Sequence, residues 1–180
     1  MPLGLKHNEV TLVPFDPTWK QLFDEAKQAI LQAIGNEHMP IEHIGSTSIE
    51  GISAKPVIDI LLGVPDIRTL DATFFKRLQR AGFYELKVKR PHEIVCAKFT
   101  DDTFEAKTHF IHIVDFEKQK WNELLFFRNY LNAHSTTKKE YEALKKSFFT
   151  TDLHGIHAYT NYKEQFVQMI VEKMDTAEDD

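Results

Sequence analysis

The sequence predicts an α+β fold: a mixed β-sheet flanked by helices, with a helical C-terminal third. Three observations predict it. Residues 57–64, VIDILLGV, are almost wholly apolar, as a central strand covered on both faces must be. Trp19, Leu22, Phe23, Ala26, Ile30, Ala33 and Ile34 recur at helical spacing, so one helix lays an apolar face on a core. From Phe116 onward the periodicity is helical throughout. With 180 residues, the chain fits a single domain, 1–180, with a sheet core to about 115 and a packed helical extension over about 116–175.

In chain order, Asp16 is an N-cap residue, Pro17 suits a first helical turn, and Gly35 sits where a C-cap glycine belongs. Strands are expected over 41–44 and 57–64, then a helix over 67–81 ending at Gly82. Three β-like segments follow, 83–88, 93–100 and 105–114, the last two joined by a hairpin turn at Asp101, Asp102 and Thr103. A helix carries Trp121, Leu124, Leu125, Arg128 and Leu131. A second starts at the capping-box pattern of Thr137 and Glu140, and a third starts near Tyr159. The acidic end, 176–180, should fray.

Composition narrows the partners. The single Cys96 excludes an intrachain disulfide, which makes a reducing cytoplasm the expected compartment. The N-terminal residues lack the pattern of a signal peptide, and no apolar run is long enough to span a bilayer, so no membrane partner is expected. A net charge of −5 offers no general attraction to nucleic acid. The local basic clusters, Lys76, Arg77 and Arg80, then Lys87, Lys89 and Arg90, read as solvated faces.

The chemistry concentrates in residues 42–64, EHIGSTSIEGISAKPVIDILLGV. Asp59 stands alone among apolar residues, and a carboxylate in such a strand must be paired, protonated or bound to a cation. It reads either as a metal ligand or as a structural ion pair with Lys55 or an arginine. Alternation puts Val57, Asp59 and Leu61 on one face and Ile58, Ile60 and Leu62 on the other. The turn of Gly45, Ser46, Thr47 and Ser48 supplies hydroxyls and backbone N–H groups that suit a phosphate, although Gly and Ser are also the usual residues of any turn.

The segments VPFDPTWKQLF, IEHIGSTSIEGISAKPVIDILLGV, HFIHIV, LLFFRNYLNAH, EYEALK and AYTNYKEQF resemble the successive motifs of the GrpB family. That family is a divergent branch of the nucleotidyltransferase superfamily, with a polymerase-β-like fold, and the resemblance runs from about Val10 to Ile170. It implies that Gly45 and Ser46 match the superfamily's phosphate-holding turn and that Asp59 matches its first metal-binding carboxylate. Leu61 stands where the second carboxylate belongs, and leucine cannot bind a metal.

The expected site follows from this. Asp59 is the catalytic metal ligand, with Glu42 and His112 completing the set. Such a set favours manganese or another transition ion over magnesium, because imidazole is a poor magnesium ligand. The other reading of His112 and Glu42 is buried hydrogen bonding. Gly45, Ser46, Thr47, Lys55, Arg128 and Lys163 are the expected contacts to a nucleoside triphosphate or phosphorylated small molecule, with Lys145 a further cation in the same motifs. Tyr130, Tyr141 and Tyr159 read as helix-packing residues. His109, three residues before His112, should point to the opposite sheet face. The expected activity is nucleotidyl transfer to a small-molecule or protein acceptor. The alternative is an inactive module binding a nucleotide or a phosphometabolite, with a coenzyme A-related ligand suggested by kinase domains joined to some family members. Cys96 reads as a buried, inert thiol.

Overall fold

A computed structural model describes residues 3–88 and 90–177, with side chains to residue 174. Lys89 and positions 178–180, part of the segment expected to fray, lie outside the described residues. The mixed sheet has the order β2 (Ile41–Ile44), β3 (Ile58–Val64), β6 (Ala106–Asp115), β5 (Ile94–Phe99), β4 (Phe83–Glu85), and β1 (Leu5–Lys6) pairs with the start of β6. Only the central β3–β6 pair is parallel. The hairpin joining β5 and β6 turns where Asp101 accepts from the Thr103 N–H and hydroxyl.

Alternation along β3 decides which layer each residue joins. Ile58, Ile60 and Leu62 pack beneath α1 (Thr18–Ile34), whose Trp19, Phe23, Ala26, Ile30 and Ile34 are buried as its spacing requires. Leu61 faces the other way, against Ile44, Val114 and Trp121 of α3 (Gln119–Ala133). Gly63 lets that layer close: a Cβ there would come within 2.8 Å of Phe116 and 2.9 Å of Trp121. Beyond α3, α4 (Ser135–Ser147) and α5 (Gly155–Ala177) complete the helical third. Tyr141 of α4 packs with Leu131 of α3 and with Ile49 and Ile52 of the loop before β3. Among the described residues no helix is long and apolar enough to cross a membrane.

Several boundaries differ from the expected ones for local reasons. The helix expected over 67–81 is a turn of 3-10 helix, Ile67–Thr69, followed by α2 (Ala72–Arg80). Two aspartates divide it: Asp66 accepts from the Arg68 N–H and Asp71 from the Phe74 N–H, so each starts its own turn. The α4 helix starts at Ser135, not at the Thr137 capping box, because His134 ends α3 and opens α4 at once. The α5 helix starts at Gly155, four residues before Tyr159. Asn8 Oδ1 accepts from the Ile156 N–H, so this cap comes from 148 residues away in sequence.

His109 and His112 occupy opposite faces of β6. His109 is buried against Phe83 and bonded to the Thr108 hydroxyl, and burial pushes its pKa down to about 4. His43, stacked on Phe23 at 4.7 Å, is likewise depressed to about 4 by burial. Both imidazoles are neutral when folded, while an unfolded histidine takes a proton near 6.5. The contribution of these two histidines to stability is therefore complete above pH 6.5 and falls as pH drops toward 4, by up to about 3 kcal/mol per histidine. Chemical denaturation at pH 7 and pH 5 should show this loss, and His109→Gln should flatten it. An unchanged slope in the variant would show that other groups set the acid limit.

Candidate functional site

The loop after β2 is shaped around Asp59. Gly45 has φ 71° and ψ −175°, a conformation open essentially to glycine alone. A Cβ at Gly45 would sit 2.9 Å from both Cβ and Cγ of Asp59 and closer still to Oδ2. The glycine thus lets the turn close over the carboxylate. The chain then enters a short 3-10 turn, Ser46–Ser48. Ser48 spends its hydroxyl on the Gly45 carbonyl at 2.7 Å, and Thr47 shares a 3.0 Å hydrogen bond with His43 Nε2. Ser46 faces Tyr141, their hydroxyl oxygens 3.5 Å apart.

A cavity of about 110 Å³ opens here, lined by Gly45, Ser46, Thr47, Lys55, Val57, Asp59, Tyr141, Tyr159 and Lys163. The sheet supplies Asp59, and the helical third closes the cavity with Tyr141 from α4 and Tyr159 and Lys163 from α5. Of the three tyrosines expected to be packing residues, Tyr141 packs on Phe166 and Tyr159 on Phe148, and these two also wall the cavity. The Lys163 ammonium lies 4.3 Å from the Tyr159 ring centroid and that of Lys55 lies 5.7 Å from it. Among the described residues neither ammonium has a hydrogen-bond or ion-pair partner within the protein. Burial holds both at about 8, against the pull of Asp59.

Asp59 is not sealed in: 28% of its side chain is exposed. Burial works against its ionisation, but His112, Lys55 and Lys163 outweigh it and hold its pKa below the ordinary value. His112 Nε2 lies 3.5 Å from Asp59 Oδ1, and its Nδ1 bonds to Glu93. Glu93 is 6% exposed and is paired in turn with Arg90. Burial lowers the imidazole's pKa, but the two carboxylates prevail and raise it to about 9. Glu93 was not foreseen. It stands three residues after Arg90 and opens an apolar strand, and only the antiparallel pairing of Val95 with His112 brings that end of β5 to the histidine.

Four expected site residues have other partners. Glu42 does not join Asp59: Arg128 reaches down from α3 and takes its carboxylate at 2.7 Å while donating to the His43 carbonyl at 2.8 Å. Both residues line a separate groove of about 480 Å³ between α1 and α3, outside the Asp59 cavity. Thr47 lines the cavity with its hydroxyl committed to His43. Lys145 is fully buried and donates to the Ser53 carbonyl, which ties α4 to the loop before β3; burial brings its pKa to about 7. Cys96 is buried, and burial pushes its thiol up to about 12.

The residues present fit one divalent ion better than two. Leu61, fully buried beside Trp121, takes the second carboxylate's place, and among the described residues no group of three or more His, Cys, Asp or Glu side chains is arranged to hold a metal. Asp59 and His112 could still share an ion whose remaining ligands came from a substrate.

A family model described as GrpB protein matches residues 9–173, nearly the whole chain. The chain belongs to the GrpB family. Glutamate-rich protein GrpB of Alkalihalophilus pseudofirmus is 43% identical, over 96% of this chain and 99% of that protein. A UPF0157 protein of Halalkalibacterium halodurans is 30% identical, over 93% of this chain and 84% of the relative. The crystal structure of GrpB from Enterococcus faecalis superposes with a TM-score of 0.77 at 30% identity, covering 91% of this chain and 96% of that one. The Cid1 poly(U) polymerase, crystallised with MgGTP, gives a TM-score of 0.50 at 13% identity, over 74% of this chain and 43% of that one. That second likeness establishes the fold: this GrpB-family chain has a nucleotidyltransferase-like architecture.

Proposed function

We propose that this GrpB-family protein is a nucleotidyltransferase-like enzyme that takes the phosphate chain of a nucleoside triphosphate into the Asp59 cavity. It passes the nucleotidyl group to a small-molecule or protein acceptor. One observation carries the reading: two half-buried ammonium groups, Lys55 and Lys163, line the cavity with the Gly45–Ser46 turn and have no acceptor within the described residues. Cations partly withdrawn from water without a partner carry a cost, and a phosphate chain supplies charged acceptors for them. At about 110 Å³ the cavity suits phosphoryl groups and leaves the nucleoside outside it. The fold relative crystallised with MgGTP makes a nucleoside triphosphate the first ligand to test.

In the reaction, an acceptor oxygen or nitrogen attacks the α-phosphorus in line, the bond to pyrophosphate breaks, and the acceptor's proton leaves to solvent or to Asp59. Ser46 and the backbone of its turn hold phosphoryl oxygens. Lys55 and Lys163 neutralise the charge that builds on the departing pyrophosphate, and such fixed electrostatics is where most of the rate in phosphoryl chemistry arises. In this reading Asp59 and His112 would hold a divalent ion, which when bound would polarise the phosphoryl group as a Lewis acid. Leu61 favours a second reading, a nucleotide-binding module that has lost turnover.

Calorimetric titration with each nucleoside triphosphate, with and without magnesium or manganese, separates these readings when coupled to an assay for pyrophosphate release. We expect binding that strengthens with metal in the native protein and falls at least tenfold in Asp59→Asn with the melting temperature retained. Binding with no pyrophosphate release against a panel of acceptors would favour the module. No binding of any nucleotide would end both readings.

A further inference from the structure

Packing accounts for the Tyr141 ring and leaves its oxygen unexplained. The residue is 3% exposed and sits among Ile49, Ile52, Leu131, Phe127 and Phe166, an apolar set that a phenylalanine would fill as well. Phe127 meets the ring edge-on at 5.3 Å, Phe166 stacks on it at 5.3 Å, and the Lys145 ammonium stands 4.8 Å from its centroid. These contacts fix where the hydroxyl ends, at the cavity beside Ser46 and within reach of the Asp59 charge.

A buried tyrosine hydroxyl normally finds a close hydrogen-bond partner. Among the described residues this one has only Ser46 Oγ, at 3.5 Å, and Ser46 Oγ has only Tyr141. An O–H···O bond has its optimum near 2.7–2.8 Å, so each hydroxyl holds most of its bonding capacity in reserve. The spacing admits a shared acceptor: an oxygen about 2.7 Å from each hydroxyl closes a triangle on the 3.5 Å base. A phosphoryl oxygen carries the charge and the lone pairs to accept from both. Burial first, and then the Asp59 charge, push the phenol up to about 12, so at neutral pH it keeps the proton it donates.

We propose that Tyr141 is a substrate-binding residue, its hydroxyl and that of Ser46 clasping one non-bridging phosphoryl oxygen between them. The inference rests on the phosphate-binding reading above and adds to it a donor from the helical third. Ser46, Tyr141, Lys55 and Lys163 all donate toward the cavity, and Asp59 is the single carboxylate among its lining residues. An oxygen-rich anion answers that balance. Tyr141 comes from α4 and Ser46 from the turn after β2, so the shared oxygen ties the helical third to the sheet. Ligand binding should therefore raise the melting temperature more in the native protein than in Tyr141→Phe.

The test is calorimetry of the full chain with inorganic triphosphate, in chelator. We expect Tyr141→Phe to melt no lower than the native protein when free and to bind triphosphate at least tenfold more weakly. Ser46→Ala should weaken binding too, and the double variant should fall short of the product of the two single losses, because both hydroxyls hold the same oxygen. Tyr162→Phe is the control. Its hydroxyl lies 3.0 Å from Ser147 Oγ and it does not line the cavity, so that variant should melt lower and bind normally. Full triphosphate affinity in Tyr141→Phe, or a lowered melting temperature as its only change, would overturn the inference. Single losses that simply multiply in the double variant would overturn the shared oxygen. Native protein that binds no triphosphate would end the phosphate reading and this inference with it, whereas native binding that Tyr141→Phe retains ends this inference alone.

Discussion

Lys163→Met is expected to stabilise the free protein while reducing its affinity for a nucleoside triphosphate at least tenfold. The two effects share one cause. The Lys163 ammonium is half-buried over the Tyr159 ring, and partial desolvation lowers its pKa from 10.5 to about 8. A lysine depressed in the folded state binds its proton more weakly there than in the unfolded chain, so the charged form costs stability at neutral pH. A methionine of similar length removes that cost, and thermal melts at pH 7 should show a gain of about 1–2 kcal/mol, allowing for partial solvent contact. The sign with pH follows. From about 8 the folded lysine begins to lose its proton, so the penalty shrinks as pH rises, and the advantage of Lys163→Met should vanish above about 10.5. Binding moves the other way: a charge-assisted hydrogen bond to phosphate is worth about 1.5–3 kcal/mol, and the variant cannot make it. Lys55→Met should behave alike, because Lys55 is depressed to the same value for the same reason, and the double variant should leave no measurable phosphate binding. A variant that loses stability instead would show that Lys163 holds the helix in place and has no need of an anion.

Gly45→Ala should damage the fold and the site together. The backbone conformation at Gly45 alone costs a non-glycine residue about 1–3 kcal/mol. The added methyl must also displace Asp59, whose Cβ and Cγ lie only 2.9 Å from where it would sit. We expect a loss of about 3 kcal/mol or more, which for a chain of this length corresponds to roughly 6–12 °C in melting temperature. Nucleotide binding should disappear even at temperatures where the variant is folded. Gly51 provides the control. Its φ of 80° is also positive, but a Cβ there meets nothing within 4 Å, so Gly51→Ala should cost only about 1 kcal/mol and leave binding intact. Equal effects in the two variants would mean that backbone strain, and not the approach to Asp59, dominates at Gly45.

The sequence by itself determined the layers and singled out Asp59 as the centre of the candidate site. Apolar spacing placed α1 on the core, the almost wholly apolar run of β3 placed it at the centre of the sheet, and strand alternation separated Ile58, Ile60 and Leu62 from Asp59 and Leu61. The same alternation put His109 and His112 on opposite faces. These are local properties, because side-chain direction repeats every two residues in a strand and every 3.6 in a helix.

The choice of partners belonged to the tertiary structure. Glu42, Arg128 and Thr47 have the right chemistry for a phosphate or metal site, and each is drawn to a residue that packing brings close: Glu42 and Arg128 to one another, Thr47 to His43. Glu93 acquires its place beside His112 only through the register of β5 on β6, and α5 takes its first turn from a cap supplied by Asn8. A carboxylate or an ammonium reads the same in any sequence. Which ion, carbonyl or cavity it meets is set by contacts between segments far apart in the chain, and the burial and charge those contacts create decide whether it binds, pairs or carries a proton.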